Sequence, residues 1–118
     1  MNTYRLDLPW PPSVNRWLRV ARGRVIKSKP WREWIEGAGM VVYDTFKEAS
    51  AIGVQGVQVS ILLEAPTRRV YDIDNRAKAI LDALEAHGVL ESDALIDRLT
   101  ITRGERYPGG RARVVVKW

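Results

Sequence analysis

Residues 57–86 read VQVSILLEAPTRRVYDIDNRAKAILDALEA, and this stretch decides the class of fold. Its first part, Val57–Glu64, places apolar side chains at every second position, a spacing that predicts a half-buried β-strand. Pro66 ends the strand, and a polar loop then leads to a segment whose apolar residues recur every three or four positions. We expect a helix over about Asn75–Ala86, with Gly88 as its stop signal. A strand followed by an amphipathic helix indicates a domain that combines both kinds of element.

Weaker patterns outside this stretch predict the remaining elements. Thr3–Leu8 alternates apolar and polar residues as a strand does, and Pro30–Ser50 has the apolar spacing of another helix. Two short apolar runs, Leu99–Thr102 and Arg113–Trp118, predict two further strands that pair as a hairpin. Ser13–Lys29 shows little periodicity and is predicted to be a long, mobile loop.

The order of these elements, β-α-β-α-β-β, predicts an α/β fold, with α+β as the alternative. We expect residues 1–118 to form one small domain, in which a mixed sheet of about four strands packs against two helices. The absence of cysteine excludes disulfide scaffolds, thiolate metal sites and cysteine catalysis, and the single histidine excludes multi-histidine metal sites. No apolar run approaches the roughly 18 residues of a membrane span, and the first residues lack the apolar core of a signal peptide. We therefore expect a soluble protein with no membrane partner.

The net charge of +5 hides a strong segregation along the sequence. Residues 1–32 contain eight basic residues and one acidic residue, residues 33–97 contain five and twelve, and residues 98–118 contain six and one. Seven of the basic residues lie within 16–32, with tryptophans between them and no acid. Such a mixture suits a nucleic-acid surface, since cations bind phosphates and aromatic rings stack on bases. The alternative is a solvated basic face whose tryptophans belong to the core.

An acidic cluster lies between the two basic flanks. Asp72 and Asp74 are two positions apart in an extended entry to the second helix, so their side chains are expected to point the same way. Asp74, Lys78 and Asp82 follow within a stripe about 80° wide on that helix, and Asp93 comes after a short loop. Neighbouring carboxylates repel each other unless a cation joins them, and oxygen ligands favour Mg²⁺ or Mn²⁺. The alternative is a structural cluster in which Asp74 caps the helix.

Several short motifs give the chain a family resemblance. They are Leu8–Asn15 (LPWPPSVN), Asp72–Lys78 (DIDNRAK) followed by Asp82–Leu84 (DAL), and Gly88–Asp93 (GVLESD). In order and spacing they resemble the RusA family of Holliday-junction resolvases over almost the whole chain. The resemblance implies a magnesium-dependent endonuclease, with Mn²⁺ as a substitute, that acts as a homodimer in DNA recombination and repair. It also implies that the substrate is four-way junction DNA, resolved by paired symmetric nicks.

By the same resemblance, the carboxylates of Asp72, Asp74 and Asp93 bind the metal, and Lys78 is needed for cleavage. We expect a metal-held water to hydrolyse the phosphodiester bond, while Lys78 holds the scissile phosphate or orients the water.

Further residues are expected to support this site. Asn75 and Asp82 are candidates for orienting the metal ligands. Contacts with DNA are expected from one amide and seven basic residues, namely Asn15, Arg16, Arg19, Arg22, Arg24, Lys27, Arg68 and Arg69.

The chain departs from the family pattern at two places. Where members usually carry two adjacent acids, this sequence has Ser92-Asp93, and we align Asp93 with the second acid. A shift of one residue would place Ser92 there instead. Members also often carry an arginine directly before the first aspartate, whereas here Val70 and Tyr71 intervene. The contact with phosphate is therefore expected to be rearranged.

Two other functions remain open from the sequence. The first is a DNA- or RNA-binding module without catalysis, in which the acidic cluster is structural. The second is a metal-dependent nuclease without preference for junctions. The resemblance favours a cytoplasmic protein of a bacterium, a prophage or a phage.

Overall fold

The computed structural model describes residues 1–14, 18–46 and 50–118. Its elements, in chain order, are β1 (Thr3–Pro9), β2 (Leu18–Ala21), β3 (Arg24–Lys27), α1 (Lys29–Phe46), β4 (Val57–Glu64), α2 (Asp74–Ala86), β5 (Ile96–Arg103) and β6 (Arg111–Lys117). Four strands form one mixed sheet in the order β1-β6-β4-β5, while β2 and β3 form a separate pair. The mixed sheet and its two helices confirm the predicted class of fold, in its α+β form. No helix among these residues is long and apolar enough to span a membrane.

The alternating segment at the centre of the sequence produces a central strand. Val57, Val59, Ile61 and Leu63 of β4 are each at most 1% exposed. β4 pairs with β6 in antiparallel and with β5 in parallel orientation. These four side chains share one core with buried residues of β6 and of both helices. A slip of one residue would turn all four to the opposite face of the sheet, so their burial fixes the register.

The helix that carries the acidic stripe forms where the sequence predicts it. In α2, the apolar residues Ala77, Ile80 and Leu84 are buried against the core. Gly88 follows with φ of +77°, a left-handed conformation that suits glycine just after a helix. Because the apolar stripe faces the core, Lys78 stays exposed on another side of the helix.

His87, at the end of α2, joins the two helices. Its Nε2 atom lies 2.7 Å from the backbone oxygen of Ile35 in α1. The imidazole ring packs directly against Gly39, where a Cβ atom would come within 2.5 Å of the ring. Glycine at this position therefore allows the helices to meet through the histidine ring.

The predicted hairpin of the last two strands is wrong. β5 pairs in parallel with β4 along Ile96–Arg103, and β6 lies on the other side of β4, between β4 and β1. The alternate residues Ala112, Val114 and Val116 of β6 are fully buried, as an internal strand requires, whereas most side chains of β5 are exposed, as suits an edge. Local apolar patterns identify both strands, but the burial of β6 decides which neighbours it has.

The prediction of an irregular loop over Ser13–Lys29 is also wrong in part. Within it, β2 and β3 pair in antiparallel orientation, with Ala21 opposite Arg24. The two residues between them, Arg22 and Gly23, have φ of +51° and +72°. Positive φ at both central positions is the geometry of a tight hairpin turn, which glycine at the second position favours.

Candidate active site and its basic surroundings

Asp72 and Asp74 lie where the loop after β4 enters α2. Both carboxylates are exposed, and the Nδ2 atom of Asn75 donates a hydrogen bond to Oδ2 of Asp72 at 3.3 Å. The N-cap position of α2 is Ile73, and no side chain caps the helix there. The alternative in which Asp74 serves as the cap is therefore not what the structure shows. Asn75 instead contacts Asp72, and the orienting role expected of it stays a prediction.

The two carboxylates have no cationic partner within the described part of the chain. No ion pair joins Asp72 or Asp74 to a lysine or arginine there. Asp74 is in the first turn of α2, where the aligned peptide dipoles favour negative charge. This effect compensates part of the charge, and a bound cation would compensate the rest.

Lys78 ties the acidic residues of α2 to the turn before β5. Its Nζ atom lies 3.0 Å from Oδ1 of Asp82, one helical turn further along, and 3.7 Å from Oδ2 of Asp93. The hydrogen bond to Asp82 raises the pKa of the Lys78 ammonium, an effect that exceeds the opposing effect of partial burial. Lys78 is therefore a fixed cation at neutral pH, placed among carboxylates.

The structure assigns different surroundings to the neighbouring residues Ser92 and Asp93. The Oγ atom of Ser92 accepts a hydrogen bond from the backbone N–H of Ala94 at 3.1 Å and so caps the 3₁₀ turn Asp93–Leu95. The carboxylate of Asp93 faces Lys78 instead. Of the two residues, Asp93 is thus the one that lies beside the acidic stripe of α2.

The chemistry of these donors fits a hard cation, but the carboxylates are not gathered around one point. Asp72, Asp74 and Asp93 offer only oxygen atoms, which Mg²⁺ prefers. Across residues 1–14, 18–46 and 50–118, no three acidic or histidine side chains are close enough to hold a metal ion together. The structure therefore links Asp93 to α2 through Lys78 and does not gather the three predicted ligands around one point.

The predicted DNA-binding residues divide between two segments. Arg22 and Arg24 are exposed at the tip of the β2–β3 hairpin, and Arg68 and Arg69 are exposed in the loop that precedes Asp72. Lys27 lies over the ring of Trp31, with its Nζ atom 3.9 Å from the ring centroid. Asn15, Arg16 and the side chain of Arg19 lie outside the described residues.

A contact that sequence reasoning missed lies beside Asp72. Arg103, at the end of β5, donates a hydrogen bond from Nη2 to the backbone oxygen of Tyr71 at 3.0 Å. Its guanidinium carbon also lies 4.3 Å from the centroid of the Tyr71 ring. Thirty-two positions separate the two residues in the sequence, and only the parallel pairing of β4 with β5 brings them together.

Carboxylates that can hold a divalent cation, with a lysine and exposed arginines that can bind phosphates, are compatible with an enzyme that cuts the nucleic-acid backbone. Comparison with known proteins agrees with this class. The family model described as endodeoxyribonuclease RusA matches residues 9–117. The chain therefore belongs to the RusA endodeoxyribonuclease family, as its motifs predict.

The relatives extend over nearly the whole chain. Proteins named crossover junction endodeoxyribonuclease RusA from Escherichia coli strain K12 and from Shigella sonnei strain Ss046 are each 32% identical over 117 residues. A protein of the same name from Enterobacteria phage 82 shows the same identity. In each case the match covers 98% of this chain and 95% of the relative. The family and its named members are nucleases, so the prediction of an enzyme is confirmed.

Proposed function

We propose that this protein is a metal-dependent endonuclease that resolves four-way DNA junctions by paired nicks. The printed names of its relatives support the junction as substrate. One structural observation carries the proposal: Asp74 and Lys78 lie on α2, Asp72 lies just before it, and the Nζ atom of Lys78 is 3.7 Å from Oδ2 of Asp93 in the turn before β5. Carboxylates for a cation and a lysine for a phosphate can together support hydrolysis of a phosphodiester.

The proposed cation is Mg²⁺, with Mn²⁺ able to replace it, held by Asp72, Asp74 and Asp93. When bound, such an ion lowers the pKa of a water molecule and offsets the negative charge of the phosphate. Asn75 orients Asp72 through the hydrogen bond between their side chains.

Lys78 is the proposed phosphate contact within the acidic cluster. The hydrogen bond to Asp82 raises the pKa of Lys78 above the ordinary 10.5, so the ammonium is charged at neutral pH. Asp82, at 3.0 Å, keeps this ammonium on the same side of α2 as Asp74. The role proposed for Asp82 is therefore to position Lys78.

Binding of DNA is proposed to depend on the basic segments around this site. Arg22, Arg24 and Lys27 on the hairpin, and Arg68 and Arg69 in the loop before Asp72, would contact phosphates and position the junction without reading its sequence. Carboxylates alone would repel DNA, so the cations nearby are needed to attract it.

A homodimer is proposed because a four-way junction with two symmetric nicks needs two active sites related by a two-fold axis. Sedimentation at micromolar concentration is expected to give about twice the monomer mass of 13.4 kDa. A monomer that still makes paired nicks would contradict this part of the proposal.

A cytoplasmic location is also proposed, since the named relatives come from bacteria and a phage and are nucleases of DNA.

The experiment is a cleavage assay with a labelled four-way junction, a linear duplex and a single strand, each with and without Mg²⁺. We expect the wild type to cut the junction in Mg²⁺ and to spare the other two. Asp74→Asn is expected to bind the junction and leave it uncut, because an amide is a poor ligand for Mg²⁺. Asp44→Asn, the same change at an exposed carboxylate on α1, is the matched control and should cut normally.

Each other outcome contradicts the proposal in a recognisable way. Junction binding without cleavage in Mg²⁺ would indicate a binding module. Equal cleavage of all three substrates would indicate a nuclease without preference for junctions. Normal cleavage by Asp74→Asn would remove this carboxylate from the site.

A further inference from the structure

Arg103, at the end of β5, has no acidic partner among the described residues, unlike the two arginines of β6. Arg111 and Arg113 of β6 pair with Glu64 and Asp7, at 2.7 and 3.3 Å. No ion pair is formed by Arg103 within the described residues, and its side chain is exposed. Its positive charge is therefore uncompensated by the chain itself.

Two contacts nevertheless hold the Arg103 guanidinium in one place. It donates to the backbone oxygen of Tyr71 at 3.0 Å and stacks on the Tyr71 ring at 4.3 Å. The Tyr71 ring is in turn supported by Trp10, whose ring meets it edge to face at 5.3 Å. A guanidinium has five N–H donors, so most of them remain after the single hydrogen bond to Tyr71.

The fold explains why this cation lies next to the candidate active site. β4 and β5 are parallel, and Leu63 near the end of β4 is paired with Arg103 at the end of β5. The loop that leaves β4 at this edge carries Tyr71 and, one residue later, Asp72. The carboxyl ends of the two parallel strands thus place the Arg103 guanidinium against Tyr71, the residue directly before Asp72.

We propose that Arg103 binds a DNA phosphate next to the one that is cut, with Tyr71 as the platform that positions it. The planar fork of arginine matches the oxygens of a phosphate, and stacking on an aromatic ring leaves its edge open for them. Arg103 would then hold the DNA backbone close to the residue before Asp72, in addition to the contact proposed for Lys78. This inference rests on the proposed function, because it assigns a further contact to the same substrate.

The test combines a change in the protein with a change in the DNA. Binding of a synthetic four-way junction is measured without divalent metal, with phosphates near the crossover replaced one at a time by uncharged methylphosphonates. For the wild type, we expect one replacement to weaken binding roughly tenfold, the scale of a hydrogen bond to a charged group. Arg103→Met should bind the unmodified junction about tenfold more weakly and show no further loss at that phosphate.

Salt dependence and a control variant provide the second measurement. Loss of one phosphate contact should lower the log–log slope of affinity against salt by about 0.9. Arg5→Met removes the same charge from an exposed arginine on β1, the opposite edge strand, and should leave affinity at that phosphate unchanged. Arg103→Lys keeps the charge without the planar fork and should recover only part of the affinity.

The outcomes separate this inference from the proposed function. A wild type that neither binds nor cuts junctions would overturn the proposed function itself. The role of Arg103 alone would be overturned by a different result, in which the wild type binds and cuts junctions. In that result, Arg103→Met would equal Arg5→Met in affinity, in salt slope and in its response to the methylphosphonates. If circular dichroism shows that Arg103→Met does not fold, Arg103→Lys provides the test. Full affinity in a folded Arg103→Lys protein would contradict the need for the planar fork.

Discussion

Replacement of Lys78 by methionine separates a catalytic role from a structural one. The change keeps the length of the side chain and removes the ammonium that lies 3.0 Å from Asp82 and 3.7 Å from Asp93. If Lys78 only ties the acidic residues together, stability should fall and cleavage should fall in proportion. If it contacts the scissile phosphate, cleavage should fall much further than stability.

The structure sets the size of the effect on stability. The Lys78 side chain is 47% exposed, and its partners Asp82 and Asp93 are 19% and 37% exposed. Solvent therefore screens both ion pairs, and pairs of this kind contribute about 0–1 kcal/mol each. We expect Lys78→Met to lower the free energy of unfolding by about 1 kcal/mol, which corresponds to a melting temperature lower by roughly 4 °C.

The effect on cleavage is expected to be larger by far. Removal of one donor that stabilises charge in a transition state slows an enzyme by about 100-fold to 1,000-fold. Single-turnover cleavage of a junction in Mg²⁺, at saturating enzyme, measures this step, and unfolding in guanidinium measures stability. Lys29→Met is the matched control, since Lys29 forms the same i, i+4 pair with Glu33 on α1, at 3.7 Å.

Two results would refute this reasoning. Cleavage by Lys78→Met within about threefold of the wild type would exclude contact with the scissile phosphate. A loss of unfolding free energy well above that of two screened ion pairs, with cleavage reduced only in proportion to the folded fraction, would show that Lys78 is structural.

The pH dependence of this stabilisation has a definite sign. The pKa of Lys78 is raised in the folded protein above the ordinary 10.5, so the folded state binds the proton more tightly than the unfolded chain. Titration of Lys78 should therefore leave the stability difference between the wild type and Lys78→Met at its full size below about pH 10.5. The difference should disappear as the pH rises through the pKa of Lys78 in the folded protein. Denaturant unfolding at neutral and at alkaline pH checks this, and a difference that grows with alkalinity would contradict it.

Other changes test the remaining parts of the structure. Asp93→Asn is expected to abolish junction cleavage while binding is retained. Ser92→Ala should remove only the cap of the 3₁₀ turn and lower the free energy of unfolding by about 1 kcal/mol in denaturant. The reverse pattern in a cleavage assay would show that the alignment of Asp93 is wrong. Replacement of both Arg22 and Arg24 by methionine should weaken binding to all DNA sequences and lower the salt slope by up to about 1.8, as two lost phosphate contacts would; an unchanged slope would place the hairpin away from DNA. Gly39→Ala should destabilise the protein by roughly 1–3 kcal/mol in thermal unfolding, because the new methyl group overlaps the imidazole that packs there; wild-type stability would show that the ring can move aside without loss.

Local periodicity predicted the elements whose own residues decide their structure. β4 has the predicted bounds, and α2 begins one residue early and ends at Ala86 as expected. Apolar residues occur at every second position in β4 and at every third or fourth position in α2. Each spacing places them on one face of only one kind of element. Gly88 follows the end of α2 with a positive φ, which glycine adopts easily and which does not continue a helix.

Pairing between distant strands could not be predicted in the same way. The apolar runs of β5 and β6 show that strands exist, but not that β6 enters between β1 and β4. The hairpin of β2 and β3 carries a detectable signal, since Arg22-Gly23 separates two short runs that contain apolar residues, yet the dense positive charge there favoured the interpretation as a loop.

The candidate site shows the same division. The order of Asp72, Asp74 and Lys78 along the chain suffices to place them at the entry and first turns of one helix. The contact of Arg103 with Tyr71 depends on the parallel pairing of β4 with β5, so it has no signature in either segment alone. Sequence reasoning therefore proposes the carboxylates, which stay a prediction, and misses the cation that the sheet places against Tyr71.

The position of β6 in the middle of the sheet has a consequence for the order of folding. β1 and β4 share no hydrogen bonds with each other, and each pairs with β6, which brings Thr3 opposite Lys117. During synthesis, neither strand has this partner until residues 111–117 have left the ribosome. Closure of such a distant pairing is slow because a long loop must be ordered before any contact forms. A nascent chain would already contain the carboxylates of α2, yet the sheet beneath them would be complete only after synthesis of β6. The nuclease is therefore expected to become active only once β6 has paired with β1 and β4.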